Sequence, residues 1–203
     1  DLCVRSLVEG GDAEVLHQSP FWKHGPGFMP DGRSVVFAEQ DPKTNYDIAV
    51  LDLDGERQRR NVLETPFGER NPEVSPDGRW IAYVSDETGR SEVVLRGSSG
   101  SFGQWQVSTG GGSQARWRGD SRELFFVAPD GYLMAASIET SPTVRTGAPR
   151  RVLRLPQRPD RDTPIFEDVT PDGRRFLLNV PVTARSSVGF HVVLNWPSLL
   201  DAR

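Results

Sequence analysis

Several motifs in the sequence have residue types that could carry out chemistry. Gly119-Asp120-Ser121, with Leu124 close behind, has the form of a serine-hydrolase nucleophile block. Such hydrolases also need a histidine with an aspartate three residues earlier, a condition that none of the histidines meets: His17, His24, His191. A nucleophile motif without its partner residues does not predict catalysis. We therefore expect Ser121 to be a turn residue.

Two further motifs bind ligands only in a different structural setting. Residues Gly110 to Ala115 satisfy a relaxed dinucleotide fingerprint, but they join two predicted strands and open no helix that could bind a pyrophosphate. Asp52 to Glu56 alternates carboxylates as a calcium loop does, yet it lacks the third ligand position and the distal glutamate. Kinase Asp-Phe-Gly and His-Arg-Asp motifs are absent. The sequence predicts no catalytic residue, no cofactor and no metal site.

The composition excludes several classes of partner. The 203 residues carry 24 Lys and Arg against 28 Asp and Glu, a net charge of −4, whereas nucleic-acid and anionic-membrane binders need clustered positive charge. No apolar run approaches the roughly 18 residues needed to span a bilayer. The single cysteine, Cys3, permits no disulfide within the chain. We expect no nucleic-acid partner and no membrane insertion by this segment.

Glycine and proline interrupt the chain too often for a helix-rich fold. The sequence has 20 Gly and 16 Pro, and the longest stretch free of both, Lys43 to Asp54, has only 12 residues. Typical globular helices run about 8 to 20 residues. The elements that position the motifs must therefore be strands and turns.

A four-fold repeat organises those strands and turns. Pro30 to Arg33 reads Pro-Asp-Gly-Arg, recurs 46 residues later at Pro76 to Arg79, and returns after offsets of 43 and 52 at Gly119 to Arg122 and Pro171 to Arg174. Pro, Asp and Gly each favour a tight turn. A short apolar run rich in β-branched and aromatic residues follows each turn, which predicts strands. Four strands per roughly 45 residues indicate a β-propeller blade.

The second repeat resembles the WD-like β-propeller repeat of TolB-type proteins. Ser75 to Asp86, followed by Gly89 to Val93, carries this resemblance, which extends over nearly the whole chain. Two other stretches, Trp105 to Ser113 and Val192 to Pro197, resemble the C-terminal propeller of bacterial membrane-anchored serine/threonine kinases of eukaryotic type. In that family the kinase is cytoplasmic and the propeller lies outside. The resemblance therefore implies an extracytoplasmic location.

The strand pattern predicts one all-β propeller domain over residues 1–203, with four-stranded antiparallel blades and about four blades present. We expect a partial blade at 1–17, blades at 20–63, 66–109 and 113–155, and a partial blade at 163–196. This makes 17 strands, one more than four whole blades contain, which favours part of a larger propeller over a closed four-blade ring. Open blade edges also favour self-association.

The repeat register predicts both a core and a ligand site. The first strands end on core positions Phe28, Val74, Trp117 and Val169, and we expect burial between blades of Val74, Trp80, Ala82, Trp117, Phe125, Val169 and Leu177. The residues just before the four strand ends are Gly27, Glu73, Arg116 and Asp168. Because first strands line the axis of a propeller, we expect Glu73, Arg116 and Asp168 to bind a ligand in the axial channel. Internal ion pairing is the alternative.

These features favour a non-enzymatic recognition or protein-interaction propeller whose partner is a protein, a peptide or a small polar ligand. The resemblance implies that it is the extracytoplasmic sensing part of a bacterial serine/threonine kinase receptor. Two alternatives stay open. One is the gating propeller of a prolyl oligopeptidase-like hydrolase, in which another domain supplies the nucleophile. The other is a stand-alone TolB-like envelope scaffold.

Overall fold

The computed structural model describes residues 1–5, 12–99, 103–141, 143–156 and 166–179. Over these ranges the chain consists of β-strands and turns. None of the described residues belongs to a helix that could cross a membrane. Residues 180–196 of the predicted partial blade at 163–196, which include most of the stretch Val192 to Pro197, lie outside the described residues, as does Pro197 itself.

The strands form three large sheets and two strand pairs. The first pair is β1 (Leu2–Val4) with β2 (Glu14–His17), and the second pair is β16 (Phe166–Val169) with β17 (Phe176–Leu178). Sheet 1 contains β3 (Lys23–Phe28), β4 (Ser34–Asp41), β5 (Asn45–Asp52) and β6 (Arg59–Leu63). Sheet 2 contains β7 (Glu69–Val74), β8 (Trp80–Ser85), β9 (Glu92–Gly97) and β10 (Gln104–Gln106). Sheet 3 contains β11 (Ser113–Trp117), β12 (Glu123–Val127), β13 (Tyr132–Glu139), β14 (Arg145–Thr146) and β15 (Arg150–Arg154).

The sheets are arranged radially around their first strands. Neighbouring strands within each sheet are antiparallel, and apart from β15, which pairs with β13, they follow chain order. Across the sheets, β3 packs against β7, β7 against β11 and β11 against β16, so the first strands lie innermost. The predicted all-β propeller of four-stranded antiparallel blades is confirmed. The assignment of all 203 residues to one domain, with the blade limits given above, stays a prediction.

Sheet 3 departs from the four-strand pattern at its outer edge. The first half of the long strand β13 pairs with β15, whereas its last two residues, Ile138 and Glu139, pair with β14. The sequence pattern did not predict β14, because two residues are too few to show the alternation that marks a strand.

Side chains that alternate along a strand pack on opposite faces of each sheet. In β8, Trp80 lies in the core shared with sheet 3, whereas Ile81 and Tyr83 lie in the core shared with sheet 1. In β12, Leu124 packs towards sheet 2 and Phe125 towards the second pair. Two apolar faces are expected for a sheet that lies between two others. Hydrophobic contacts between neighbouring sheets therefore hold the radial array of sheets, which we call the arc, together.

The burial predicted from the repeat register is confirmed at most positions. Four of the predicted core residues are buried: Trp80, Ala82, Trp117 and Phe125. Two others are half-buried and pack against the cores: Val74 and Val169.

Leu177 was expected in the core, and this prediction is wrong because the residue is 63% exposed. Its neighbours Phe176 and Leu178 face sheet 3, so alternation turns Leu177 to the opposite face. Phe125, at the same repeat position, faces the next sheet along the chain. Among the described residues no sheet follows β17. Leu177 therefore points to where the next sheet would lie, and no described residue covers it.

Phe28 is a second exception to the predicted core, with 59% of its surface exposed. The equivalent residues of β7 and β11, Val74 and Trp117, pack against the preceding sheet. Before β3, the described chain supplies only β1 and β2, whose Leu2 and Leu16 pack against the middle strands of sheet 1. The inner strand β3 thus lacks the neighbour that covers its equivalents.

The repeated turns form as predicted. Three of them carry a glycine in the left-handed region, with φ of 70–72°: Gly32, Gly78 and Gly173. Ser121 occupies the same position of the fourth turn with a φ of 60°, which confirms its predicted role as a turn residue. Its hydroxyl oxygen accepts a hydrogen bond from the Asp77 amide at 3.1 Å. The serine thus links the turn of sheet 3 to that of sheet 2.

Substitution of Ser121 should change the free energy of unfolding and should not affect ester hydrolysis, because Ser121 is a turn residue and not a nucleophile. We expect Ser121→Ala to lower the free energy of unfolding by about 1 kcal/mol, because it loses the hydrogen bond to Asp77 and keeps the strained backbone. Ser121→Gly loses the same bond but relieves roughly 1 kcal/mol of left-handed strain, so it should unfold near the wild-type urea midpoint. Turnover of p-nitrophenyl acetate that disappears in Ser121→Ala would instead identify a nucleophile.

Candidate functional site

The inner strands share one extra residue at the same position. In β3, β7 and β11, three residue steps lie opposite two steps of the second strand, and β16 carries a similar irregularity. These β-bulges fall within the ranges 24–27, 70–73, 113–116 and 166–168. A bulge bends its strand and changes the face towards which the following side chain points. The bulges therefore decide how the residues after them are aimed.

One residue of the bulge has a left-handed backbone in three of these strands. The φ values are 57° at Gly25, 52° at Asn71 and 53° at Gln114. Glycine and asparagine tolerate this conformation, whereas glutamine rarely adopts it. Non-glycine residues held in this region cost of order 1 kcal/mol or more each, and they cluster at binding and active sites. The observed strain marks this level of the inner strands as a candidate site.

The bulges surround a cavity of about 340 Å³, which we call the axial cavity. All four inner strands contribute to its wall, through residues in the ranges 25–28, 71–74, 114–116 and 166–167. The structure brings Gly27, Glu73 and Arg116 to this wall, as expected from their common register. Asp168 is exposed and is not part of the wall, although its charge acts on Glu73. Ligand binding by these residues stays a prediction.

The Arg116 guanidinium is largely committed to the protein itself. Its Nε donates to the Glu167 carbonyl at 2.6 Å, and its Nη1 donates to the Ala115 carbonyl at 2.7 Å. The same Nη1 lies 3.7 Å from Glu73 Oε2. Because the Nε edge is occupied, the side chain cannot present that edge as a two-point fork to a carboxylate. Arg116 instead ties sheet 3 to the second pair.

Glu73 is the titratable group whose ionisation the cavity controls. Its side chain is 32% exposed, and burial raises its pKa to about 7. That value is the balance of burial, which raises the pKa most, of Arg116, which lowers it, and of the charge of Asp168, which also raises it. A carboxyl with this pKa changes its charge close to neutral pH. The cavity wall thus carries a negative charge that depends on pH.

Two contacts between sheets support the wall from behind. The buried Trp117 donates its indole N–H to the Glu73 carbonyl at 3.2 Å. Gln114 Oε1 accepts the Phe166 amide at 2.9 Å. Sequence reasoning did not predict the bulges or these contacts, although Gly25 and Asn71 both precede a proline at the same register. That recurrence was the one available signal.

The other motifs take ordinary structural positions. Residues 110–115 lead from the end of β10 into β11, and Asp54 in the turn after β5 pairs with Arg33 at 2.8 Å. These positions agree with the predicted loop and hairpin turn. In the described part of the chain, His, Cys, Asp and Glu form no group of three or more placed to hold a metal ion.

Known proteins share this architecture. No family model matches the sequence. The Tol-Pal system protein TolB of Hydrogenovibrio crunogenus is 40% identical over 58 residues, which make up 29% of this chain and 13% of that protein. The crystal structure of TolB from Acinetobacter baumannii matches with a TM-score of 0.63 and 17% identity, over 86% of this chain and 42% of that one. The chain has a TolB-like β-propeller fold.

The TolB-like fold also occurs in enzymes. An oligogalacturonate lyase from Vibrio parahaemolyticus matches with a TM-score of 0.61 and 20% identity, over 84% of this chain and 49% of that one. The chain thus spans about half the length of these solved structures. At such low identity the likeness shows the fold alone.

Proposed function

We propose that this TolB-like propeller is a non-enzymatic protein-binding module of the bacterial envelope, which receives a projecting segment of a partner protein in the axial cavity. The observation that carries the proposal is the convergence of four inner strands, three with left-handed bulge residues, on one cavity. Such a wall can position a guest. The described wall residues include no Ser, Cys, Thr or Lys that could act as a nucleophile beside a base.

The extracytoplasmic location belongs to the same proposal. It is supported by the partial identity with a Tol-Pal system protein. More specifically, we propose that the chain is the extracytoplasmic part of a kinase receptor. The stretches Trp105 to Ser113 and Val192 to Pro197 support this, because they resemble the propeller of bacterial membrane-anchored serine/threonine kinases. The gene sequence on either side of this segment tests it. An upstream kinase domain and membrane helix would support the receptor, whereas a downstream α/β-hydrolase domain would support the gating propeller.

The ends of the arc suggest a second kind of contact. Leu177 and Phe28 are both exposed where a neighbouring sheet would cover them. Further blades of a longer chain, or a second copy of this chain, would bury these apolar surfaces. This supports the expectation of a larger propeller or of self-association.

Filling the axial cavity should abolish partner binding without unfolding the protein. A Cβ added at Gly27 would meet no atom within 4 Å, so the side chain of Gly27→Trp can extend into the cavity. Peptides selected from a random display library on the wild-type chain should bind this variant at least about tenfold more weakly.

The matched control for this experiment is Gly103→Trp. A Cβ at Gly103 would make only ordinary contacts, at 3.6 Å from the Trp105 ring, and the residue is not part of the cavity wall. We expect the control to bind selected peptides as the wild type does. Peptides that bind all three proteins equally well, or a selection that enriches none, would contradict the cavity as a protein-binding site.

A further inference from the structure

We infer that the axial cavity recognises a primary ammonium group, and that ionised Glu73 is the residue that binds it. This inference rests on the proposed function, because it specifies the chemistry of the guest in the same cavity. The ammonium could belong to a lysine side chain or to the N-terminus of the partner protein. Both sources present the same compact cation with three hydrogen-bond donors.

The balance of charge around the cavity favours a cation. The charged groups that face Glu73 are Arg116 from β11 and Asp168 from β16, with Glu167 on the wall beside them. The wall residues from β3 and β4 carry no charge. Two carboxyl groups of the second pair, of which Glu167 lies on the wall and Asp168 lies outside it, therefore accompany Glu73 against one guanidinium. A carboxylate guest would meet repulsion, whereas an ammonium would be attracted.

Arg116 leaves room for a second cation at Glu73. Its Nη1 is 3.7 Å from Glu73 Oε2, well beyond the 2.7–2.9 Å of a charge-assisted hydrogen bond. Among the described residues, no hydrogen bond within 3.5 Å reaches the Glu73 carboxyl. Arg116 is held in place by the Ala115 and Glu167 carbonyls instead. An ammonium guest can thus form the close contact with Glu73 that Arg116 does not.

The site should bind its guest more tightly as the pH rises. With a pKa of about 7, the ionised fraction of Glu73 increases from about one tenth at pH 6 to about nine tenths at pH 8. A lysine side chain or n-hexylammonium, with a pKa of about 10.4, stays charged over the same range, so for these guests the protein alone supplies the pH dependence, whereas an N-terminal amine with a pKa of about 8 would itself lose charge by pH 8. Since only the ionised form binds, the apparent affinity should increase about tenfold.

Titration with n-hexylammonium chloride, followed by the amide NMR shifts of residues 71–74 and 114–116, tests the inference. We expect a dissociation constant about tenfold lower at pH 8 than at pH 6. Glu73→Gln should abolish both the binding and its pH dependence. Arg116→Ala should retain binding but move the midpoint to higher pH, because Arg116 lowers the pKa of Glu73. The control Glu56→Gln, at an exposed turn, should behave as wild type.

Several outcomes would overturn the inference. Tighter binding of n-hexanoate than of n-hexylammonium would do so, as would equal hexylammonium affinity at pH 6 and pH 8. Selected peptides that are lost on Gly27→Trp, in a protein that shows no hexylammonium shifts, would refute the ammonium and leave the proposed function standing. Failure of both experiments would refute both. If the inference holds, two kinds of peptide identify which amine is bound. Binding of an N-acetylated peptide that contains lysine indicates the side-chain amine, and binding of a lysine-free peptide with a free N-terminus indicates the terminal amine.

Discussion

Phe125→Ala is expected to lower the free energy of unfolding by about 3 to 5 kcal/mol. Phe125 is 2% exposed and lies between sheet 3 and the second pair. Its ring is 5.1 Å from that of Phe176, edge to face, and the Phe176 ring is 6.1 Å from that of Phe166. The truncation removes these contacts and opens a cavity in the core. Urea denaturation at pH 6 measures the loss.

Leu177→Ala is the matched control, because Leu177 occupies the same repeat position as Phe125. Since 63% of Leu177 is exposed, we expect its truncation to change the free energy of unfolding by no more than about 0.5 kcal/mol. A cost at Leu177 equal to that at Phe125 would mean that another part of the protein covers it in solution. A small cost at Phe125 would contradict the packing between sheet 3 and the second pair.

The architecture could be predicted because its contacts are local. Apart from β15, each strand of a blade pairs with the strand before or after it along the chain, so turn residues and short apolar runs specify most of the sheet. The left-handed glycines of the repeated turns, and Ser121 in the same position, follow directly from the turn motif. The exposure of Phe28 and Leu177 could not be predicted from these signals. It depends on whether another sheet lies beside them, which their own sequence does not encode.

The candidate site was predictable in position and unpredictable in chemistry. The repeat register alone placed Glu73 and Arg116 at equivalent positions on inner strands. The pKa of Glu73 depends on the depth of the cavity and on the charge of Asp168, and neither can be read from the sequence. The bond from Arg116 to the Glu167 carbonyl depends on the packing of β11 against β16, which lie far apart in the sequence.

Buried carboxylates at the blade junctions were also missed, because Asp and Glu are mostly exposed. A hydroxyl at one repeat position donates to a buried glutamate at each of three junctions: Ser19 to Glu39, Thr65 to Glu69, Ser108 to Glu92. Ser19 and Thr65 both precede a Pro-Phe pair. The hydroxyls therefore recur in the sequence, whereas their partners come from different strands and form no repeat. Only the fold reveals the pairs.

Raising the pH from 5 to 8 is expected to lower the free energy of unfolding by about 2 to 3 kcal/mol through Glu69 alone. Glu69 is 1% exposed, and burial raises its pKa from an ordinary 4.5 to about 7. Its Oε1 accepts the Thr65 hydroxyl, and its Oε2 has no partner among the described residues. The negative charges of Asp47, Asp86 and Glu87 disfavour ionisation further.

The sign follows from the order of the two pKa values. The folded protein holds the Glu69 proton more tightly than the unfolded chain, so the stability is complete below pH 4.5 and is lost as the pH rises through 7. Burial raises the pKa of Asp47 and of Glu73 as well, so both act in the same direction. Glu39 acts oppositely. Burial alone would raise its pKa, but hydrogen bonds, with Ser19 the strongest, lower it to about 2.

Two variants separate these contributions in urea denaturations at pH 5, 6, 7 and 8. Glu69→Gln cannot ionise, so its stability should depend less on pH than that of the wild type and should exceed it at pH 8. Glu39→Gln should be less stable throughout this range, because it removes the charge that His17, Lys23 and Arg59 surround, yet it should keep the wild-type slope. A wild-type slope retained in Glu69→Gln would assign the pH dependence to another group. If the slope falls in Glu69→Gln, the buried Glu69 carboxyl between sheets 1 and 2 makes this junction weaker above neutral pH.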